Sequence, residues 1–461
     1  MGIIVQKFGG TSVGSGERMQ NVAGIIQRTL AKQPVIAVVS AMSGTTKSEG
    51  TTSLLIAAAD AARKGAPFDK ELELLEQNHL KAVGESVKDA GLKDEAMKFV
   101  TGELSRLKSF LEAISVIREL SPRSQDNVLA VGEKLSARIL TAVLNDRGVK
   151  AVYTDLAQVI PEHETVVNPA FFQRLQVQLG ERCRPRGGEV PVVTGFFGMV
   201  PGGLLSAVGR GYTDFTTAMI AAGLGRQQAD ELQVWKEVDG IFTADPRKVP
   251  SARVLSAISP AEAAELTYFG SEVLHPFTME RVVSANVPIR IKNSFRPEAE
   301  GTVIAPYSGE RGDQVTAVTV KRGITVLTIT SNRMYNAHGF LARVFNAFEQ
   351  HGVIVDLVST SEVSVSCTVE RLPEPEKVRV ALEQFGTPEV TPGRAILAMV
   401  GEGMKFASGT AGKMFTTLGA AGVNIEMISQ GASEINISCV VREDQAVAGL
   451  NAVHDAFLGN G

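Results

Sequence analysis

A lysine, a glycine pair and two hydroxyls stand together at residues 7–12, KFGGTS, just after a short apolar run. These are the parts of a phosphate cradle. Glycines let the backbone come close to a ligand and turn N–H groups toward it. A following helix would add the positive end of its dipole, and Lys7 at a strand end could lay charge over a moving phosphoryl group. The order is not that of the Walker loop, where the glycines precede Lys-Ser/Thr; here Lys7 precedes Gly9 and Gly10. A tight strand-to-helix turn with a surface lysine would be spelled the same way.

Other stretches carry complementary groups. GRGYTD (209–214) offers Arg210 as a fork for a carboxylate, Gly211 for close backbone approach, and Thr213 and Asp214 at a helix start. WKEVDGIFTADPRKV (235–249) reads as a strand, a VDG turn and a Thr-x-Asp-Pro turn. A loop at the carboxyl end of a sheet strand is where open α/β folds bind ligands; Arg247 and Lys248 could reach phosphates there, and Phe242 could flank a purine. In VGEKLSARIL (131–140), Glu133 lies on the same side of a helix as Ser136 and Ala137. Ser40 and Thr52, in the hydroxyl-rich 40–55, could bind a small polar ligand or cap the next helix. The histidines show no metal-binding spacing such as HExxH, and His275 before Pro276 reads as structural.

These groups need a scaffold, and the pattern supplies one. Strand-like IIVQKF (3–8), VIAVVSA (35–41), VKAVYTD, VPVVTGF, LQVWKEV and VPIRIKN alternate with helical stretches at 17–32, 169–180, 213–224 and 276–286. Residues 69–146 read as mostly helical with a break at SPRSQ (121–125). Such alternation predicts a three-layer α/β domain with a mainly parallel sheet covered on both faces. The uncharged 190–209 holds five glycines and two prolines, so it reads as strand, turn and second strand rather than a membrane span.

With 461 residues the chain calls for two or three domains. A net charge of −4 argues against nucleic acid or anionic membrane as partners. Cys183, Cys367 and Cys439 are few and scattered, which fits a reducing cytoplasm, and MGIIVQKF lacks the basic n-region of a signal peptide.

Beyond a polar linker, PYSGERGDQ (306–314), the chain repeats itself: 338–369 resembles 410–441, first at an offset of 70 and then of 72. Arg343 matches Lys413, Gly352 matches Gly422, Asp356 matches Glu426, and Ser366-Cys367 matches Ser438-Cys439. Each copy reads strand, helix, strand, strand, helix. The second copy ends after its helix without a final strand, while VTAVTVKR (315–322) precedes the first as a spare. The copies are therefore expected to interleave.

In order along the chain, VQKFGGTSV, GEKLSA, TGFFG, GRGYTDFT, VWKEVDGIFTADPRKV and GSEVLHPFTM resemble the motifs of aspartate kinases, and the two repeats resemble paired ACT domains. The KEVDGIFTADP form and the long SGTTKSEGTTS loop are most similar to the monofunctional fungal-type enzymes. The resemblance implies an amino-acid-kinase fold at 1–305, a linker and first ferredoxin-like ACT domain at 306–393, and a second at 394–461. It implies transfer of the ATP γ-phosphoryl group, with Mg²⁺, to the β-carboxylate of L-aspartate, giving 4-phospho-L-aspartate for threonine and methionine (in some organisms lysine) biosynthesis. It implies Lys7 and Asp214 as catalytic residues, and Lys7, Gly9, Gly10, Lys236, Glu237, Phe242, Arg247 and Lys248 as the ATP site. Ser40, Thr52, Glu133, Arg210, Gly211 and Thr213 would form the aspartate site, Arg210 gripping the α-carboxylate and Glu133 the α-amine.

An inhibitory amino acid, threonine rather than lysine by the fungal-type likeness, would bind among Met334, His338, Gly339, Leu341, Asp356, Thr360, Ser361 and Glu362. Edge-to-edge ACT pairing would make a homodimer or a dimer of dimers. Two departures bear on the nucleotide contacts: Lys236-Glu237 stands where many members have Thr-Asp, and Glu272 where many have lysine. The competing readings are another amino-acid-kinase-fold enzyme, or a silent amino-acid sensor that kept the shell; retention of both Lys7 and Asp214 argues against the sensor.

Overall fold

The computed structural model describes the chain apart from residues 1, 45, 47–48, 161–165, 205–207, 209–210, 270–273, 275, 307–314, 332–337, 406, 434 and 460–461. It contains two compact units: Met1–Ile241 with Leu274–Ala305, and Phe242–Val273 with Pro306–Gly461.

The first unit starts with β1 (Ile3–Phe8) and α1 (Gly16–Leu30). Ser15 caps α1 by accepting from the Arg18 N–H at 3.3 Å, and Met19, Val22 and Ile26 turn inward as one stripe. β2 (Val35–Val39) is wholly buried, as its β-branched run requires. Helices α2 (Thr51–Lys64), α3 (Asp69–Ser86), α4 (Ala90–Ile117) and α5 (Pro122–Asp146) follow. The break expected at 121–125 falls earlier. Ser121 caps α5, its Oγ accepting from the Ser124 N–H at 3.1 Å, and Pro122 takes the first helical position, where a missing N–H costs nothing.

Next come β3 (Ala151–Thr154), α6 (Pro169–Arg182), β4 (Val190–Thr194), α7 (Tyr212–Leu224) and β5 (Ala229–Lys236). β6 (Ala257–Ile258) and α8 (Pro260–Tyr268) belong to the second unit; α9 (Pro276–Ser284), β7 (Ile289–Asn293) and β8 (Thr302–Ile304) return to the first. Of the second strand expected within 190–209, residues 205–207 and 209 lie outside the described residues; from Gly195 to Gly203 the chain forms no strand. Gly198, Gly202 and Gly203 adopt positive φ there (114°, 83° and 95°), which a strand does not allow.

Within this unit the strands lie in the order β3-β4-β2-β1-β5-β7-β8, parallel except where β8 runs against β7. The chain builds β2 and β4 on one side of β1 and β5 and β7 on the other. The carboxyl end of β1 therefore opens at a topological switch point, the expected place for a ligand. Lys7 sits there, beside Val38 of β2 and Val234 of β5. No helix of the described residues is long and apolar enough to cross a membrane.

In the second unit the repeats are β9 (Ala317–Thr330), α10 (Phe340–Gln350), β10 (Val358–Thr360), β11 (Ser364–Val369) and α11 (Pro375–Glu383), then β12 (Thr387–Val400), α12 (Thr410–Ala420), β13 (Ile425–Gln430), β14 (Asn436–Arg442) and α13 (Ala446–Leu458). One six-stranded sheet unites them in the order β10-β11-β9-β12-β14-β13. β9 and β12 are each long enough to serve both copies. The leading half of β9 pairs with the trailing half of β12, Leu397 opposite Val320, and buries Val318 and Val320 with Leu418 and Leu450 of the second copy. The leading half of β12 lies against the trailing half of β9 and brings Val390 to the first copy's core around Phe348. The copies interleave because neither has enough strand of its own.

Candidate active site

Lys7 is 8% exposed, and its Nζ lies 2.8 Å from Asp214 Oδ1. Asp214 stands in the first turn of α7, where the helix dipole favours an anion. The pair thus holds a cation at the strand end, beside the glycines. Gly10 has no alternative there: a Cβ would lie 2.6 Å from the Ala41 carbonyl oxygen. The Gly10 carbonyl accepts from the Ser43 N–H at 3.1 Å and the Phe8 carbonyl from the Ser40 N–H at 3.1 Å, locking the loops after β1 and β2 together.

Glu133 enters from α5, 2% exposed. Its Oε1 accepts from the Tyr212 hydroxyl at 2.7 Å and the Ala41 N–H at 3.4 Å, while Oε2 has no partner among the described residues. Burial pushes its carboxyl up to about 7, against the opposing pull of Tyr212 and Ala41. An unpartnered buried acceptor costs about 1–3 kcal/mol, more when charged. Such a group is retained where something else completes it. Ser136, one turn on, donates its hydroxyl to the Ser40 carbonyl at 2.7 Å, so α5 also fixes the β2 loop.

Gly195 after β4 closes the other side; a Cβ there would meet Thr213 Oγ1 at 2.5 Å, and Thr216 donates its hydroxyl to the Gly195 carbonyl. The structure thus gathers Lys7, Gly9, Gly10, Ser40, Glu133, Thr213 and Asp214 at the carboxyl ends of parallel strands. Thr52 stands in the first turn of α2, half-buried, and Gly211 is exposed at the N-cap of α7. Arg210 lies outside the described residues.

The amino acid kinase family profile matches residues 2–293, and an ACT domain profile matches 327–383 and 397–457. The aspartokinase of Schizosaccharomyces pombe is 46% identical over 99% of this chain and 93% of its own length. The chain belongs to the aspartokinase family. It is an aspartate kinase, with the amino-acid-kinase fold followed by ACT domains. Among solved structures, Escherichia coli aspartokinase III in complex with lysine and aspartate, in its T-state, is 28% identical with a TM-score of 0.80, covering 99% of both chains. The same enzyme with aspartate and ADP, in its R-state, is 28% identical with a TM-score of 0.76, covering 98% of this chain and 99% of that one.

Several residues that brace this cluster in the aspartokinase were not singled out from sequence. Tyr212 orients Glu133. Asp126, two turns before Glu133 on the same helix, accepts from the Leu204 N–H at 2.8 Å and is pushed up to about 6 by burial. Two carboxylates seven residues apart on a helix of buried apolar residues were the available signal. Ser294 had none: it accepts from the Ser12 hydroxyl at 2.9 Å across 282 residues, and donates to the Lys236 carbonyl.

The residues expected to hold the nucleotide divide. Lys236 ends β5 and Glu237 follows it, exposed, in the first unit. Phe242, Arg247 and Lys248 belong to the second unit, where Phe242 bridges Val254. Arg247 grips Asp245 through Nε–Oδ1 at 3.0 Å and Nη2–Oδ2 at 3.1 Å, and Lys248 approaches it at 3.3 Å. These cations hold the Asp245 carboxyl down at about 2. Glu272 and His275 lie outside the described residues.

Of the expected effector residues, Met334 also lies outside the described residues. His338 and Gly339 are exposed at the start of α10, with Gly339 at φ 74°, and Leu341 is 39% exposed. Thr360 ends β10, and Ser361 and Glu362 follow it in the turn before β11; all three are exposed. The Asp356 side chain is enclosed: Oδ1 takes the Lys321 ammonium at 3.2 Å and the Tyr268 hydroxyl at 3.3 Å, while Oδ2 has no partner among the described residues. Lys321 and Tyr268 were not anticipated from sequence as its partners.

Proposed function

We propose that this aspartate kinase transfers the ATP γ-phosphoryl group to the β-carboxylate of L-aspartate, giving 4-phospho-L-aspartate, with 1–305 as the catalytic domain and 306–393 and 394–461 as linker with first ACT domain and second ACT domain. The observation that carries this reading is the Lys7–Asp214 pair at the carboxyl end of the central strand. A carboxylate nucleophile is already ionised at neutral pH, so the site needs no general base. It must hold two anions together, and catalysis rests on positioning and charge. Lys7, oriented by Asp214, neutralises the moving phosphoryl group, and the Gly9–Gly10 backbone lets the phosphates approach. Glu133 Oε2 takes the substrate ammonium, Arg210 the α-carboxylate, and Ser40, Thr52, Gly211 and Thr213 line the remainder. Lys236, Glu237, Phe242, Arg247 and Lys248 serve the nucleotide.

Mg²⁺ is ordinarily held by one or two carboxylates together with substrate phosphates. Asp214, with its side chain 20% exposed beside Lys7, fits as such a carboxylate. The ion would supply further neutralisation of the phosphate charge.

Threonine or lysine, threonine favoured, inhibits by binding near the start of α10 and Asp356, whose open Oδ2 supports an ammonium partner. The solved E. coli enzyme with lysine supports regulation by an amino acid. The sheet edges β10 and β13, which expose Val358 and Ile428, support a homodimer joined through the ACT domains. The product enters threonine and methionine synthesis in the cytoplasm. Incubation with ATP, aspartate and hydroxylamine should yield aspartate hydroxamate in step with ADP. ADP release without hydroxamate would refute the acyl-phosphate product.

A further inference from the structure

A cavity of about 560 Å³ lies wholly within the second unit, between the hairpin 243–255, the start of α12 and the end of α13. It is of the size that holds small-molecule ligands, and it involves none of the residues assigned above to aspartate, nucleotide or effector. Two cations line it. Arg253 reaches it from the hairpin and donates through Nη1 to the Leu458 carbonyl at 2.7 Å. Lys413 reaches it from α12, donates to the Ala456 carbonyl at 2.7 Å and lies 4.3 Å over the Phe457 ring. Neither forms an ion pair with a carboxylate among the described residues. An arginine has five N–H donors and a lysine three, so each keeps donors to spare.

A third positive source converges on the same volume. Gly409, at φ 84°, starts α12 with no side-chain cap to satisfy its first-turn N–H groups, and Gly409 and Thr410 line the cavity. A lysine in the first turn of a helix opposes the helix dipole, so the fold holds like charges together here. The carboxylate at the margin, Asp455, is largely exposed, and its Oδ1 accepts from the Ser251 hydroxyl at 3.3 Å with His454 Nδ1 at 3.8 Å. The first repeat does otherwise. Its matching cation, Arg343, folds back to the His338 carbonyl of its own loop at 3.4 Å, whereas Lys413 is drawn across the cavity margin to α13.

We propose that this cavity is a binding site for a small anion, a phosphate or carboxylate carried by a metabolite, held by Arg253, Lys413 and the N-terminus of α12. An occupant would tie the 243–255 hairpin to the second repeat.

The test uses the full chain and follows acylation of Lys413 by peptide mapping, with pyrophosphate or succinate as probe. Wild type and Lys7→Ala, which removes the phosphate cradle's cation, should both show saturable protection of Lys413. Labelling should slow about tenfold at roughly ten times the Kd, by simple mass action. Arg253→Gln should abolish the protection while labelling of Lys405 stays unchanged throughout. Protection by pyrophosphate alone identifies a phosphate site, and protection by succinate alone a carboxylate site. The proposal is overturned if neither anion protects Lys413 at millimolar concentration, if protection survives Arg253→Gln, or if Lys7→Ala removes it.

Discussion

Glu133 and Glu262 are both enclosed helical glutamates, at 2% and 0% exposure, one in each unit, and they are finished differently. Glu262 Oε2 accepts from the Ser259 N–H at 2.9 Å, closing a capping box on α8; its Oε1 takes the Thr316 hydroxyl at 2.6 Å and the Glu402 N–H at 2.8 Å. Both oxygens are used, and they join α8 to the start of β9 and the turn after β12. Glu133 spends one oxygen on Tyr212 and Ala41 and leaves the other bare. A buried carboxylate with both oxygens engaged is architecture. One left half-engaged, with its carboxyl pushed up to about 7, is waiting for a partner from outside.

That contrast can be broken from either side. Lys7→Ala should have the largest effect, lowering kcat by about 10²–10³-fold, as loss of one preorganised charge does at a transferring group. Its far-UV spectrum and unfolding midpoint should stay close to wild type; near-wild-type turnover would remove Lys7 from the mechanism. Glu262→Ala should act on stability instead. It leaves two N–H groups and a hydroxyl without their acceptor, a loss of about 3 kcal/mol, seen as an earlier unfolding transition of the second unit in denaturant. An unchanged transition would mean that Glu262 is no more finished than Glu133.

A smaller effect sharpens the comparison within the second unit. Asp356 is an enclosed carboxylate of that unit with a bare oxygen, so Asp356→Ala should leave uninhibited turnover near wild type and weaken inhibition by threonine or lysine. Allosteric couplings typically amount to about 1–3 kcal/mol, or roughly 5–150-fold in effector affinity. Unaltered inhibition would place the effector elsewhere.

Much of this was legible in the chain. KFGGTS and GRGYTD are local spellings of strand end and helix start, and their backbone requirements are written in their glycines. The repeats announced themselves by periodic identity, and counting strands was enough to expect the exchange between β9 and β12. The failures share a cause. Ser12 and Ser294 meet across 282 residues, and no local pattern records that contact. Ala244 and Val249 are apolar and buried, but composition does not say that their core is that of the second repeat.

The most direct measurement is calorimetric titration of aspartate between pH 6 and 8, on wild type and on Glu133→Gln. Glutamine keeps the shape and loses the charge. If Glu133 Oε2 receives the substrate ammonium, wild-type affinity should rise as pH increases through about 7 and then level off, because only the ionised carboxylate binds the cation. Glu133→Gln should bind about tenfold more weakly, near 1.4 kcal/mol, with no such rise. The ligand-free proteins should show the reverse. Glu133 is raised in the fold above its unfolded value of 4.5, so its contribution to stability is full below that value and is lost as pH climbs through about 7. Above pH 7 Glu133→Gln should therefore unfold at a higher temperature than wild type, and at pH 4 the two should converge. Equal aspartate affinities with the same pH slope in both proteins would contradict the account: the bare oxygen would then not be the substrate's acceptor.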